Sequence, residues 1–150
     1  MRLKNKIAMV VGAGQTPGPT IGNGRATALL FAREGAQVLA VDRDIESAQE
    51  TVELIQHEGG QGEAVVADVV DETSLEAAVK HCKDRLGRLD ILHNNVGISV
   101  TGGDAPVTEI STEAFDRIIA VNLRGVVLAC KHALPVMRAQ GSGVIITISS

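Results

Sequence analysis

Three glycines and one acid decide what chemistry the first third of this 150-residue chain could perform. Gly12 follows an apolar run, Gly22-Asn23-Gly24 opens a helical pattern, and Asp42 closes a second apolar run. A glycine turn lets the backbone approach a pyrophosphate, and a helix starting behind it offers free N–H groups and the positive end of its dipole. An acid at the end of the next strand can accept from both hydroxyls of an adenosine ribose. Arg43, beside Asp42, would attract a 2′-phosphate, whereas the carboxylate repels one. Asp42 takes precedence because it occupies the strand end where the ribose hydroxyls belong. Further polar candidates follow at regular stations: Asp68-Val69, Asn94-Asn95-Val96-Gly97, Asn122 and Ser149-Ser150.

The elements that must position these residues can be read from periodicity. Ile7–Val11 is continuously apolar, as a strand buried on both faces should be. The loop from 12 to 21 contains Thr16-Pro17-Gly18-Pro19, which cannot be helical. A helix from Gly22 to about Glu34 ends on Gly35, and a strand spans 37–41. Ile45–His57 reads as a second helix stopped by Gly59-Gly60, and 63–67 as the third strand. The third helix is capped either by Asp71 or by Thr73 with Glu76 in a capping box; it turns Leu75, Ala78, Val79, Cys82 and Leu86 inward and ends at Gly87. A strand at 89–93 leads into a polar loop over 98–110. Ser111 caps one long helix over 112–139, and a last strand covers 144–148.

Strands alternating with helices demand a parallel sheet with right-handed crossovers. The fold class is therefore α/β, a Rossmann-type doubly wound parallel sheet with helices on both faces. In such sheets ligands bind outside the carboxyl ends of the strands. Gly12, Asp42, Asp68, Asn94 and Ser149-Ser150 all fall on that edge. The length fits a single domain, 1–150, that binds a nucleotide.

The bulk composition excludes several classes. A net charge of −4 offers no basic face, so nucleic acid is not an expected partner. The amino terminus carries too short an apolar run for a signal peptide or a membrane span, which points to the cytoplasm with no membrane partner. Cys82 and Cys130 each lie in a helical pattern and read as reduced thiols. His81-Cys82 and Cys130-x-His132 sit adjacent or two apart on helices, so neither pair can face one ion, and no metal site is expected.

The ordered set Gly22-Asn23-Gly24-Arg25-Ala26, Asp68-Val69, Asn94-Asn95-Val96-Gly97, Val121-Asn122-Leu123 and Ile146-Thr147-Ile148-Ser149-Ser150 resembles the short-chain dehydrogenase/reductase family. The resemblance runs from Lys6 to Ser150. It implies that Gly12, Gly22 and Gly24 are the glycines of the cofactor loop, and that Asp42 selects NAD over NADP. It implies that Asp68 and Val69 lie beside the adenine, and that Asn94 and Gly97 support the sheet on the adenosine side. Asn122 and Ser150 correspond to the family's catalytic asparagine and serine. A mid-helix asparagine alone would read as a polar residue bonded to its own backbone; the flanking Val121 and Leu123 and the downstream serine favour the functional reading.

What the resemblance implies is an NAD(H)-dependent oxidoreductase interconverting a small secondary alcohol and a ketone. It further implies a homo-oligomer, dimer or tetramer, paired through the helix at 112–139. This sequence departs from the family at Val11, at Val96 and in the longer separation of Gly12 from Gly22. It has no tyrosine, so the family's Tyr-x-x-x-Lys pair is absent. The expectation is that these residues are the cofactor half of a longer protein, inactive alone and lacking the later strands and substrate region. Two alternatives stand beside it. Thr20-Ile21-Gly22-Asn23-Gly24-Arg25-Ala26 is also similar to the turn of enoyl-acyl-carrier reductases, and without the missing pair the chain would be a non-catalytic nucleotide-binding module.

Overall fold

A computed structural model describes residues 1–149. Five strands form one parallel sheet: β1 (Ile7–Val11), β2 (Gln37–Asp42), β3 (Gln61–Val66), β4 (Ile91–Asn94) and β5 (Val144–Thr147), in the order β3-β2-β1-β4-β5. The helices are α1 (Asn23–Arg33), α2 (Ile45–His57), α3 (Glu72–His81), α4 (Thr112–Ile119) and α5 (Gly125–Gln140). Reversal of strand order on the two sides of β1 and β4 leaves a crevice at their carboxyl ends.

Both faces of the central strands are buried, and side chains alternate between two cores. Met9, Val11, Leu39, Val41 and Leu92 point to one side, where Leu75, Ala78, Val79, Ala129, Ala133 and Met137 of α3 and α5 cover them. Val10, Val38 and Ala40 point to the other, against Ala28, Leu29 and Ala32 of α1 and Ala48, Val52 and Ile55 of α2. Fully buried side chains such as Met9, Leu39 and Leu92 each contribute about 1.5–3 kcal/mol relative to exposure. At the end of the sheet away from the crevice, the buried Asp90 carboxylate accepts the Ile7 N–H at 2.9 Å and pairs with Arg88.

The register fixes the crevice edge. Val11 lies opposite Val41 and Asn94, Asp42 opposite Val66, and Asn94 opposite Thr147. The strand ends carrying the candidate residues are therefore level with one another. β5 is the outer strand. Ile145 packs with the α3/α5 core and Ile146 with Ile91 and Phe31, so by alternation Val144, Ile146 and Ile148 share a face. Val144 is 55% and Ile148 45% exposed, with no helix over them among the described residues.

Three sequence expectations are corrected. The helix over 112–139 is interrupted: a five-residue π turn, Ala120–Arg124, separates α4 from α5. The third helix likewise ends at His81 and passes into a π turn, Cys82–Leu86, before Gly87 turns the chain with φ +82°. Of the two caps the sequence offered for α3, Asp71 holds the position: its carboxylate accepts the N–H of Thr73, which already lies inside the helix. The strands at 63–67 and 89–93 are shifted by one or two residues, to Gln61–Val66 and Ile91–Asn94. A short 3-10 turn, Val100–Gly102, sits within the polar loop.

Candidate active site

The glycines form a close contact between two backbones. The N–H groups of Gly12 and Ala13 both donate to Val41 O, at 2.8 and 3.1 Å, turning the chain sharply out of β1. Gly12 adopts φ +83°, a conformation glycine tolerates and L side chains resist. The first turn of α1 descends onto it: a Cβ at Gly24 would stand 1.7 Å from Gly12 O. Asn95 holds that same carbonyl, its Nδ2 donating at 3.2 Å. Gly22 is the N-cap of α1, and among the described residues no side chain caps the helix. The early N–H groups at Asn23 and Gly24 therefore offer an anion the donors and the dipole end that a capping side chain would otherwise use.

Asp42 ends β2 and is fixed from two directions. Its Oδ2 accepts the Gly14 N–H at 2.9 Å and its Oδ1 accepts the Asp44 N–H at 3.1 Å. Each carboxylate oxygen keeps a further lone pair for an outside donor. Arg43 is exposed. Asp44 caps α2 by accepting from Glu46 and Ser47.

Asp68 forms a local turn in which its Oδ1 accepts the Val70 N–H at 3.1 Å, while Ser74 Oγ bonds its backbone on both sides. The Val69 side chain is in the core against Gly125, where a Cβ would meet it at 2.8 Å. Only the main chain of Val69 can face a ligand at the crevice.

The two asparagines at the end of β4 divide the work that alternation dictates. Asn94 is 4% exposed and turns into the α5 layer, its Nδ2 lying 3.9 Å from Cys130 Sγ. Asn95 turns to the glycine cradle instead. Gly97 is exposed and its Cα side approaches Asn122 Oδ1, 3.7 Å from where a Cβ would stand. Asn122, on the π turn, clamps the next residue: its Oδ1 accepts the Ile98 N–H at 2.8 Å and its Nδ2 donates to Ile98 O at 2.7 Å. It does not bond back to its own helix through that carboxamide; it ties the helix to the loop after β4. Ser149 is exposed near the end of β5, and Ser150, the candidate catalytic serine, lies outside the described residues.

Residues not singled out from sequence complete the support. Arg25 Nε donates to Thr51 Oγ1 at 2.9 Å and its Nη2 to Ser47 O at 3.0 Å. Thr51, fully buried, donates to Ala13 O at 2.7 Å. A polar residue on the apolar stripe of Ala48, Val52 and Ile55 was the available signal for Thr51. Burial pushes the Cys82 thiol up to about 12 and raises that of Cys130 as well, which disfavours the reactive thiolate at both. Among the described residues no His, Cys, Asp and Glu cluster could hold a metal ion.

An uncapped helix start against a glycine cradle, one strand away from a fixed carboxylate, suits a nucleotide with a pyrophosphate and a free ribose diol. The sequence profile of the family described as short chain dehydrogenase matches residues 6–150. The chain belongs to the short-chain dehydrogenase family. Members of this oxidoreductase family generally bind a nicotinamide cofactor. It is 43% identical to an uncharacterised oxidoreductase, YxbG, of Bacillus subtilis strain 168, covering 99% of this chain and 51% of that one. It is 34% identical to the levodione reductase of Leifsonia aquatica, covering 99% of this chain and 54% of that protein. Among solved structures it is similar, at a TM-score of 0.89 and 34% identity, to a 7α-hydroxysteroid dehydrogenase complexed with NADH and 7-oxo glycochenodeoxycholic acid, covering 99% of this chain and 55% of that one. This short-chain dehydrogenase sequence thus spans about half the length of the relatives it matches.

Proposed function

We propose that the whole protein is an NAD(H)-dependent oxidoreductase interconverting a secondary alcohol and a ketone. The observation that carries the reading is Asp42: an acid fixed by two backbone N–H groups at the strand end beside the glycine cradle. A carboxylate there accepts a ribose diol and repels a 2′-phosphate, which favours NAD over NADP. Gly12, Gly22, Asn23 and Gly24 give the pyrophosphate close approach and N–H donors. The Asp68-Val69 backbone borders the adenine, and Asn94, Asn95 and Gly97 hold the sheet edge beneath the adenosine. When bound, the nicotinamide supplies the hydride acceptor or donor.

The remaining chemistry belongs to side chains. Asn122 holds the Ile98 backbone beside the reacting end, and Ser150 orients and polarises the substrate oxygen. An unassisted serine is too weak a base at neutral pH to take the alcohol proton. The 150 residues contain no tyrosine. The base is therefore assigned to the part of the protein that corresponds to the relatives' additional length.

The natural full-length protein, assayed over a panel of secondary alcohols, should show kcat/KM with NAD at least about tenfold above that with NADP. Asp42→Ser should narrow that ratio. A preference for NADP would overturn the role of Asp42, and nucleotide binding without turnover would replace the enzyme by a binding module. Homo-oligomerisation is the second part of the proposal. Phe115, Ile119, Leu123, Val127 and Leu134 form an exposed apolar stripe along α4, the π turn and α5, supporting burial of this helix against a second copy.

A further inference from the structure

The separation of Gly12 from Gly22 is the least family-like part of the chain, and one side chain accounts for its shape. Ten residues of irregular loop lose their conformational freedom only if something replaces the ladder bonds they lack. Pro17 and Pro19 remove two donors, and residues 16–21 are exposed. Gln15 supplies the replacement. Its Nε2 donates to Thr16 O at 2.6 Å and to Thr20 O at 2.9 Å, and its Oε1 accepts the Gly22 N–H at 2.8 Å. One carboxamide thereby uses both donors and one acceptor on the near end, the far end and the exit of a single loop. Its own backbone N–H donates to Ser47 Oγ at 2.7 Å, at the start of α2. Ser47 O is in turn held by Arg25 from α1. The neighbouring Gly14 N–H is the one that fixes Asp42.

We propose that Gln15 is a coenzyme-positioning residue: its carboxamide staples residues 15–22 into one arc that holds the extra loop length clear of the α1 start. The staple takes the Gly22 N–H for itself, so the donors presented to the pyrophosphate are those beyond it, at Asn23 and Gly24. The same loop anchors the Asp42 carboxylate through Gly14, so the phosphate and ribose grips are set by one continuous segment. This inference rests on the coenzyme reading above and adds the residue that makes an oversized loop compatible with it.

The test uses the natural full-length protein, with NAD and adenosine as probes and amide hydrogen exchange of the coenzyme-free protein as a second readout. In Gln15→Ala, exchange of the Gly22 N–H should accelerate by at least about tenfold. The Kd for NAD should rise about tenfold, through lost preorganisation, while that for adenosine stays within about twofold. Gln15→Glu keeps the acceptor facing Gly22 but loses both donors. It should leave the Gly22 N–H protected while the Kd for NAD still rises at least about threefold, and this separates a staple from general loosening even if the alanine variant folds poorly. Tighter or unchanged NAD binding by Gln15→Ala, or unchanged exchange of the Gly22 N–H, would overturn the positioning role alone. Failure of the unaltered protein to bind NAD would overturn the coenzyme reading, and the positioning role with it.

Discussion

Replacing Gly24 by alanine puts two opposing effects in one position, and the geometry decides between them. In a helix interior, alanine is favoured over glycine by about 1 kcal/mol, so propensity alone forecasts a more stable protein. Here the added methyl would stand 1.7 Å from Gly12 O and 2.8 Å from Asn95 Nδ2. Ordinary contact begins at 3.4 Å, so α1 and the turn must separate by roughly half that distance. Neither side yields cheaply. Moving α1 loosens Ala28, Leu29 and Ala32 from the sheet, and rotating the Gly12 carbonyl breaks its bond from Asn95. Overpacking of this kind costs about 1–3 kcal/mol, which outweighs the propensity gain. The effect on binding should be larger. The displaced turn is the one that offers its N–H groups to the pyrophosphate, and a shift on the order of 1 Å at a binding group can cost about 100-fold. Gly18→Ala is the internal control, because a Cβ there meets nothing within 4 Å. Calorimetric titration with NAD and urea denaturation of both variants would decide the matter. Gly24→Ala with a Kd within about threefold of the parent and undiminished stability would refute the close-approach argument.

Other perturbations test the remaining parts. Asn122→Ala removes both bonds to the Ile98 backbone and should cost about 1–2 kcal/mol, with faster amide exchange at Ile98 and a lower kcat at similar KM for NAD. His93 is buried against the edge of Phe31, its Nδ1 has no partner among the described residues, and burial lowers its pKa. The unfolded chain therefore binds the proton first: this contribution to stability is complete above about pH 6.5 and is lost as pH falls through the lowered value. His93→Leu should flatten the fall in denaturation free energy between about pH 7 and 5, and an unchanged slope would exclude His93 as its source. Leu123→Glu places a charge in the exposed stripe of the α4–α5 helix and should shift the full-length protein toward monomer in light-scattering chromatography; an unchanged oligomer would move the interface elsewhere.

Much of the fold was legible because parallel strands buried on both faces leave uninterrupted apolar runs, as at Ile7–Val11, and because glycine and capping residues punctuate the helices. The family assignment and the five-strand sheet follow the sequence reading closely. The division between Asn94 and Asn95 was present as simple strand alternation, but a two-residue motif conceals which member faces the cradle. The π turn left a fainter mark. Phe115, Ile119, Leu123 and Val127 repeat every four residues, and a helix of 3.6 residues per turn cannot keep that repeat on one face for so long. The wider turn at Ala120–Arg124 absorbs the slip and presents Asn122 to Ile98. The Gln15 staple had no such signal, since it joins a side chain to backbone groups whose positions only the folded loop defines.

The outer strand has a consequence for handling the protein. Along β5 the exposed Val144 and Ile148 flank Ile146 on one face, and among the described residues no helix covers those two and only β4 pairs with the strand. Unpaired N–H and C=O groups flanked by β-branched residues are a template for strand addition by another molecule. Residues 1–150 produced by themselves should therefore lose material to concentration-dependent aggregation seeded at this edge. A lysine at Val144 would guard it while leaving the crevice at the opposite end of the strand untouched.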